Sequence, residues 1–243
     1  MVGLASWQDV STLPKPVVVA RDLSLGDLRM KAYQHVDLEL SANKAHAICA
    51  QDKSGKSELL LTFAGLMKPS SGSCHVFGQD VSRVAGRRNV RKQASLAFFE
   101  HVNDVERVLR VRTIASAELG LAGKPSNRAA TMAFLTAWDL GDYADSTVES
   151  LSRYDYDRLG IALAMAHDPA LLLVDDIERD LTEHESIKLC HLLCSLAAQQ
   201  NITVVCGVLD YDLASRFDTA SCITDEARAQ QAAWSRKHVK DVA

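Results

Sequence analysis

No stretch of this chain approaches the roughly 18 to 20 uninterrupted apolar residues needed to cross a bilayer. The best candidate, LGIALAMAHDPALLLVDD, is broken by His167, Asp168 and Pro169, so no membrane span is expected. The opening residues, MVGLASWQDVSTLPKP, lack a basic run leading into an apolar core, so no secretory signal is expected either. A basic excess is also missing. With 27 Lys and Arg against 31 Asp and Glu, the formal charge is -4, which gives no reason to expect nucleic acid as the main partner. The six cysteines have no paired spacing, which fits a reducing, cytoplasmic compartment rather than a disulfide framework. Cys190 and Cys194 stand one helical turn apart on an apolar pattern and read as core packing rather than metal binding. No internal repeat or low-complexity segment stands out.

What is present fits a folded chain of 243 residues, 47% hydrophobic and 24% charged, long enough for one large domain or a core with a smaller subdomain. PVVVA (16–20), VDLEL (36–40) and AHAICA (45–50) read as strands, being short and β-branched or alternating. A helix is expected from Lys56, stopped by Lys68-Pro69 and the SSGS turn. CHVFG and ASLAFF (94–99) read as further strands. From about 113 to 168 the pattern is mostly helical. ALLLVDD then reads as a fully buried strand, because an unbroken apolar run of that length is typical of parallel sheets. A helix over about 182–200, the strand ITVVC, a short helix and the strand TASCIT complete alternating β/α units. The polar tail, 225–243, reads as a surface helix. The sum is an α/β protein with a helical insertion.

One loop carries chemistry. A strand that ends in a glycine turn and opens a helix points free N–H groups and the positive end of the helix dipole at an anion. The pattern G-x-x-x-x-G-K-[ST] adds a lysine for the β/γ-phosphates and a hydroxyl for Mg²⁺. Here it runs through Ala50, Gln51, Asp52, Lys53, Ser54, Gly55, Lys56 and Ser57, with Glu58 following. Gly55, Lys56 and Ser57 match, Ala50 replaces the leading glycine, and Lys53 adds a second positive charge. The alanine is a small loss at negative φ and a larger one otherwise. About 120 residues further on, LLLVDD ends in Asp175 and Asp176. By itself this could be a buried strand closed by surface carboxylates; beside a phosphate loop, Asp175 is expected to fix Mg²⁺.

These segments, in this order, resemble the nucleotide-binding domain of ABC transporters. AICAQDKSGKSELLLTFAGLMKPSSGSCHVFGQD is similar to the family's phosphate loop and its continuation, and VESLSRYDYDRLGIALAMAHDPALLLVDD to its signature helix and Walker B strand. The likeness spans roughly residues 16–224. It implies a P-loop NTPase core with a mainly parallel sheet flanked by helices, an N-terminal antiparallel β subdomain and an inserted α-helical subdomain. A single cassette over 1–243 is expected, helical at about 100–160, with a tail at 225–243. The resemblance also implies ATP and Mg²⁺ as cofactors, Lys56 on phosphate, and Ser57 and Asp175 on the metal. It further implies a separate transmembrane permease as partner, received by the region at about 100–150, a homodimer or heterodimer of cassettes, and a place at the inner face of the cell membrane.

The chain departs from the family at positions that drive hydrolysis. Asp176 stands for the water-polarising glutamate and is one methylene shorter. Glu100 stands for the Q-loop glutamine and Leu209 for the switch histidine. The signature LSGGQ is LSRYD, in which Ser152 survives but Arg153 and Tyr154 replace glycines. Ile177 and Thr182 replace the proline and aspartate of the D-loop, and the adenine-stacking aromatic is missing near Leu25 and Gly26, with Tyr33 a poor substitute. Losing one well-placed electrostatic contact can cost about 100- to 1000-fold in rate, so impaired hydrolysis is expected. A motor ATPase, a cassette that binds ATP without appreciable hydrolysis, and a soluble relative acting on ribosomes or DNA all remain open; the acidic balance weighs against the last.

Overall fold

The structure, a computed structural model, describes residues 16–26 and 31–238. Of the expectations above, the reading of the opening residues, the end of the tail and the stretch just after Gly26 lie outside the described residues.

Two sheets organise the chain. The first is antiparallel, in the order β2-β1-β4-β5, with β1 at Pro16–Gly26, β2 at Lys31–Ser41, β4 at Ser71–Val76 and β5 at Gln79–Asp80. The second is parallel, in the order β6-β7-β8-β3-β9, with β3 at Ala45–Cys49, β6 at Ala94–Leu96, β7 at Leu171–Val174, β8 at Thr203–Val208 and β9 at Thr219–Cys222. The sequence explains the division. Every residue of AHAIC, LLLV and TVVCGV is buried, as expected where helices cover both faces of a sheet. In β2, buried Val36, Leu38 and Leu40 alternate with exposed neighbours, so one face meets the core and the other water.

Helix α1 (Lys56–Phe63) lies between the two sheets, and Leu59, Leu60 and Phe63 pack into a core shared with β1, β2 and β4. Helix α2 (Val84–Val90) follows β5. The insertion contains α3 (Val111–Leu121), α4 (Arg128–Ala137) and the first part of α5 (Arg153–Met165), around a separate core of Val111, Ile114, Leu135, Leu140 and Leu159. Helix α5 is the bridge: Leu159, Ala162 and Leu163 face this core, while Ile161, Ala164 and Met165 face the parallel sheet. Helix α6 (Glu183–Gln200) covers the sheet with Leu189, Cys190 and Leu193, which places the Cys190 side chain in the core as its pattern implied. All six cysteines are free. Helix α7 (Tyr211–Ala214) leads to β9, and α8 (Asp225–His238) is held by buried Ala227 and by Trp234, edge-on to Tyr211 at 5.7 Å.

Several elements differ from the sequence reading: β2 extends well before VDLEL, β4 begins inside the SSGS turn at Ser71, and β5 and α2 have no counterpart in it. β1 continues past PVVVA for 11 residues in all, because register shifts around Asp22 let its polar second half stay paired with both β2 and β4. β6 keeps only three residues of ASLAFF: after the Ala97 N–H bonds the Leu173 carbonyl, the Phe99 N–H turns to the Asn103 side chain.

Helix α6 opens on a capping box, in which the Thr182 hydroxyl accepts from the Glu185 N–H and the Glu185 carboxylate accepts from the Thr182 N–H. Thr182→Ala is expected to cost about 1 kcal/mol of folding stability, read as a lower denaturant midpoint at unchanged slope. An unchanged midpoint would show that the cap contributes nothing.

Candidate functional site

The parallel order brings the ends of β3, β7 and β8 to one edge, where ligands of open α/β sheets bind. β3 stops at Cys49, and the loop 50–55 turns into α1. Gly55 is the residue before that helix, at φ 81°, and a Cβ there would stand 2.0 Å from the Ala32 carbonyl oxygen. The turn therefore needs glycine on both counts: a left-handed backbone and no room. Ala50 needs none of this. It lies outside the positive-φ residues, its N–H donates to the Val208 carbonyl at 3.1 Å, and its substitution for glycine carries no backbone strain.

Lys56, 5% exposed, extends back over the loop and donates to the carbonyls of Ala50 at 3.3 Å and Val208 at 3.1 Å. The Ser57 hydroxyl donates to Asp175 Oδ2 at 2.5 Å, joining the start of α1 to the end of β7. Burial pushes the Asp175 carboxyl up from its ordinary value, opposed by the Ser57 hydrogen bond and the Lys56 charge. Asp176 follows in a left-handed conformation, φ 47°, and is 6% exposed. Gly207, set among β-branched residues in β8, makes the space: a Cβ there would lie 2.8 Å from Asp175 Oδ1 and 3.1 Å from Lys56 Cδ.

Gln51 to Glu58, together with Asp176 and Arg179, line a cavity of about 120 Å³ over the loop. Ser57, Glu58, Glu100, Asp175, Asp176 and Arg179 border a second of about 570 Å³, walled on its far side by Phe98, Arg107 and Tyr156. Among the described residues, the buried side-chain polar atoms without a hydrogen-bond partner are Ser54 Oγ, Asp175 Oδ1 and Asp176 Oδ1. Buried polar atoms are rarely left unpaired, and all three stand around this loop. The donor set fits the groups the resemblance implied: hydroxyl and carboxylate oxygens suit a hard cation such as Mg²⁺, and loop N–H groups with lysine suit phosphate.

The structure brings Gln51, Asp52, Lys53, Ser54, Gly55, Lys56, Ser57, Glu58, Asp175 and Asp176 together. Glu100 borders only the larger cavity and reaches Asp176 through Arg179. Ala50 contributes backbone rather than lining. Ser152 stands apart from both cavities and caps α5, accepting from the Asp155 N–H and donating to Asp155 Oδ2 at 2.6 Å. Tyr33 is no adenine platform: it is 3% exposed, and its hydroxyl shares a 2.8 Å hydrogen bond with Thr62.

Three residues escaped sequence reasoning. Arg179 pairs with Asp176 and Glu100. The half-buried Glu178 carboxylate accepts from the backbone N–H groups of Leu209 and Asp210, pinning the segment where Leu209 offers no polar side chain. Gly207 was visible as a glycine inside a strand, which marks a close approach. Charges at 178 and 179 gave no such signal.

A model of the ABC transporter family matches residues 33–178. The chain belongs to that family. The phosphate-import ATP-binding protein PhnC of Mycolicibacterium smegmatis is 30% identical over 82% of this chain and 79% of its own length. A phosphonates-import ATP-binding protein of Synechococcus is also 30% identical, over 79% and 74%. The methionine-import ATP-binding protein MetN of Lacticaseibacillus paracasei is 31% identical over 72% and 50%. Among solved structures, a component of the cbiONQ ABC transporter complex of Clostridium perfringens superposes with a TM-score of 0.73 at 19% identity, covering 86% of this chain and 85% of that one. A dimeric ATP-binding cassette bound to ADP and Pi gives 0.72 at 20% identity, over 86% and 94%. These structural likenesses show the fold: an α/β P-loop cassette with an antiparallel β layer.

Asp157, in α5, supplies a pH-dependent test. Burial raises its carboxyl from 3.8 to about 6, against the Arg153 guanidinium 3.0 Å away. Between those values the folded chain keeps a proton that the unfolded chain releases, so this group's contribution to stability falls as pH rises through the window. Asp157→Asn is expected to flatten that fall and to raise stability relative to the wild type above about pH 6, read from denaturant melts across pH. Parallel pH profiles for the two proteins would contradict the assignment.

Proposed function

We propose that this chain is the ATP-binding subunit of an ABC-type importer, coupling ATP binding and slow hydrolysis to a separate transmembrane permease. The observation that carries the nucleotide site is the set of unpaired buried oxygens on Ser54, Asp175 and Asp176 around a glycine-turned helix start. The loop N–H groups and Lys56 bind phosphate. Ser57 and Asp175 would hold Mg²⁺, which would supply positive charge to offset the negative charge of the phosphates. Asp176 is the group placed to orient the attacking water.

Several features favour slow turnover. The Asp176 carboxylate is one methylene shorter than glutamate, and one of its oxygens is engaged by the Arg179 guanidinium 2.9 Å away, so that oxygen is not free to orient a water. Leu209 cannot donate or accept a proton. Arg153 and Tyr154 place side chains where the resemblance expects bare backbone, and Arg153 is already committed to Asp157. The paired state of Asp176 and Glu100 also favours a second reading, a cassette that binds ATP without appreciable hydrolysis and serves as a regulatory or structural subunit.

Phosphate, phosphonate and methionine import in the relatives' names supports the importer class. No helix of the described residues is long and apolar enough to cross a membrane. Val102, which borders the larger cavity, and Val108 and Leu109 are 47%, 67% and 41% exposed, apolar side chains suited to the permease partner at the inner face of the membrane. A second cassette, identical or different, would complete the transporter.

Calorimetric titration tests the reading. The wild type is expected to bind ATP saturably in the presence of Mg²⁺, and Lys56→Ala to lose about 30-fold in affinity, or about 2 kcal/mol for a charge-assisted contact. Equal affinity in both proteins would remove Lys56 from the site. Turnover at an ordinary kcat of about 10 per second would contradict the impairment.

A further inference from the structure

Arg179 stands where the two cavities meet and lines both, the small one over the phosphate loop and the larger one beside it. Its Nε lies 3.1 Å and its Nη2 2.9 Å from Asp176 Oδ2, while Nη1 donates to Glu100 Oε2 at 2.5 Å. The loop carboxylate of Asp52 adds to the negative field that keeps the guanidinium charged. The two ends of this fork are unequal. The Asp176 side chain is 8% exposed, so breaking that pair would strand a buried charge. The Glu100 side chain is 63% exposed, and an ion pair to so wet a carboxylate contributes little. The Glu100 end is therefore the exchangeable one.

Guanidinium forks match phosphate oxygens as well as carboxylates, and donors remain on this one beyond those in use. The neighbouring carboxylate, Asp176, keeps Oδ1 buried and unpaired in the cavity that the loop residues line.

We propose that Arg179 is a direct ligand of the terminal phosphate of the bound nucleotide, keeping Asp176 while exchanging Glu100 for phosphate oxygens. It thereby sets the preference of the site for a nucleoside triphosphate over a diphosphate. This rests on the nucleotide-binding reading above. The loop N–H groups serve phosphates common to ATP and ADP and Lys56 spans the β/γ positions; Arg179, beside the Asp176 carboxylate, adds a further contact that only the longer phosphate chain reaches. Before nucleotide arrives, the same guanidinium neutralises two carboxylates that would otherwise repel it.

Equilibrium titrations with ATP and ADP, each with Mg²⁺, test the proposal without relying on turnover. R179A is expected to lose about 10- to 100-fold in ATP affinity, as for a hydrogen bond between charged groups, and less than about threefold in ADP affinity. R179K, keeping the charge without the fork, should fall between, and E100Q should bind ATP more tightly by removing the competitor. R179Q is measured beside R179A, so that a poorly folded alanine variant does not decide the outcome. The variant R179A/E100Q/D176N separates contact from charge neutralisation: a direct ligand predicts that it still lacks the ATP preference, and recovery of that preference overturns the proposal. An unchanged ATP-to-ADP ratio in R179A, with both nucleotides bound by the wild type, overturns this proposal alone. Failure of the wild type to bind either nucleotide overturns the nucleotide-binding reading and this proposal with it.

Discussion

The hydrogen bond from the Ser57 hydroxyl to Asp175 joins segments 118 residues apart in the chain, and the site exists only because the fold makes that contact. Its two ends are set by the parallel sheet. β3 and β7 both pair with β8, so the loop after β3 and the acids after β7 emerge at one edge. The strands can take these central places because they are apolar on both faces. Gly207 in β8 then leaves the space that the Asp175 carboxylate and the Lys56 stem occupy. The site is thus a consequence of which strands could be buried.

Electrostatics at this edge is close to self-balancing. Asp175 is desolvated, and the Ser57 hydrogen bond and the Lys56 charge oppose the resulting rise of its carboxyl. Asp176 is buried in a left-handed turn and takes its countercharge from Arg179. Glu178 is also raised by burial and is met by the backbone N–H groups of Leu209 and Asp210. Each carboxylate has a local partner, and two of them, Asp175 and Asp176, keep an oxygen unpaired. That pattern suits binding of a metal and an anion better than proton abstraction, because Asp176 Oδ2 is already occupied by the Arg179 guanidinium.

Much of this was legible in the sequence. The loop and LLLVDD could be read because a phosphate loop needs particular residues at fixed spacing and a buried parallel strand needs an unbroken apolar run. What escaped depends on conformation. Whether Ala50 was a defect turned on its φ, which no neighbouring residue announces. The second half of β1 lies beyond the strand read from PVVVA, because the register shifts that keep it paired leave no pattern in the residues. Ser152, read as a nucleotide contact by resemblance, is within its own chain the cap of α5. Tyr33 lies in the part of β2 before VDLEL, outside the strand read from sequence, and its hydrogen bond to Thr62 on another element leaves no local pattern. Arg179 and Glu178 follow a residue at φ 47°, and that turn decides where their side chains go.

The central claim is that the unpaired oxygens of Ser54, Asp175 and Asp176 mark a magnesium–nucleotide site. A crystal structure of the chain with Mg²⁺ and a non-hydrolysable ATP analogue tests it most directly. The account requires phosphates seated in the loop 50–57, with the metal on the Ser57 hydroxyl and the Asp175 side. An analogue bound elsewhere, or a metal that leaves Ser57 and Asp175 untouched, would contradict it.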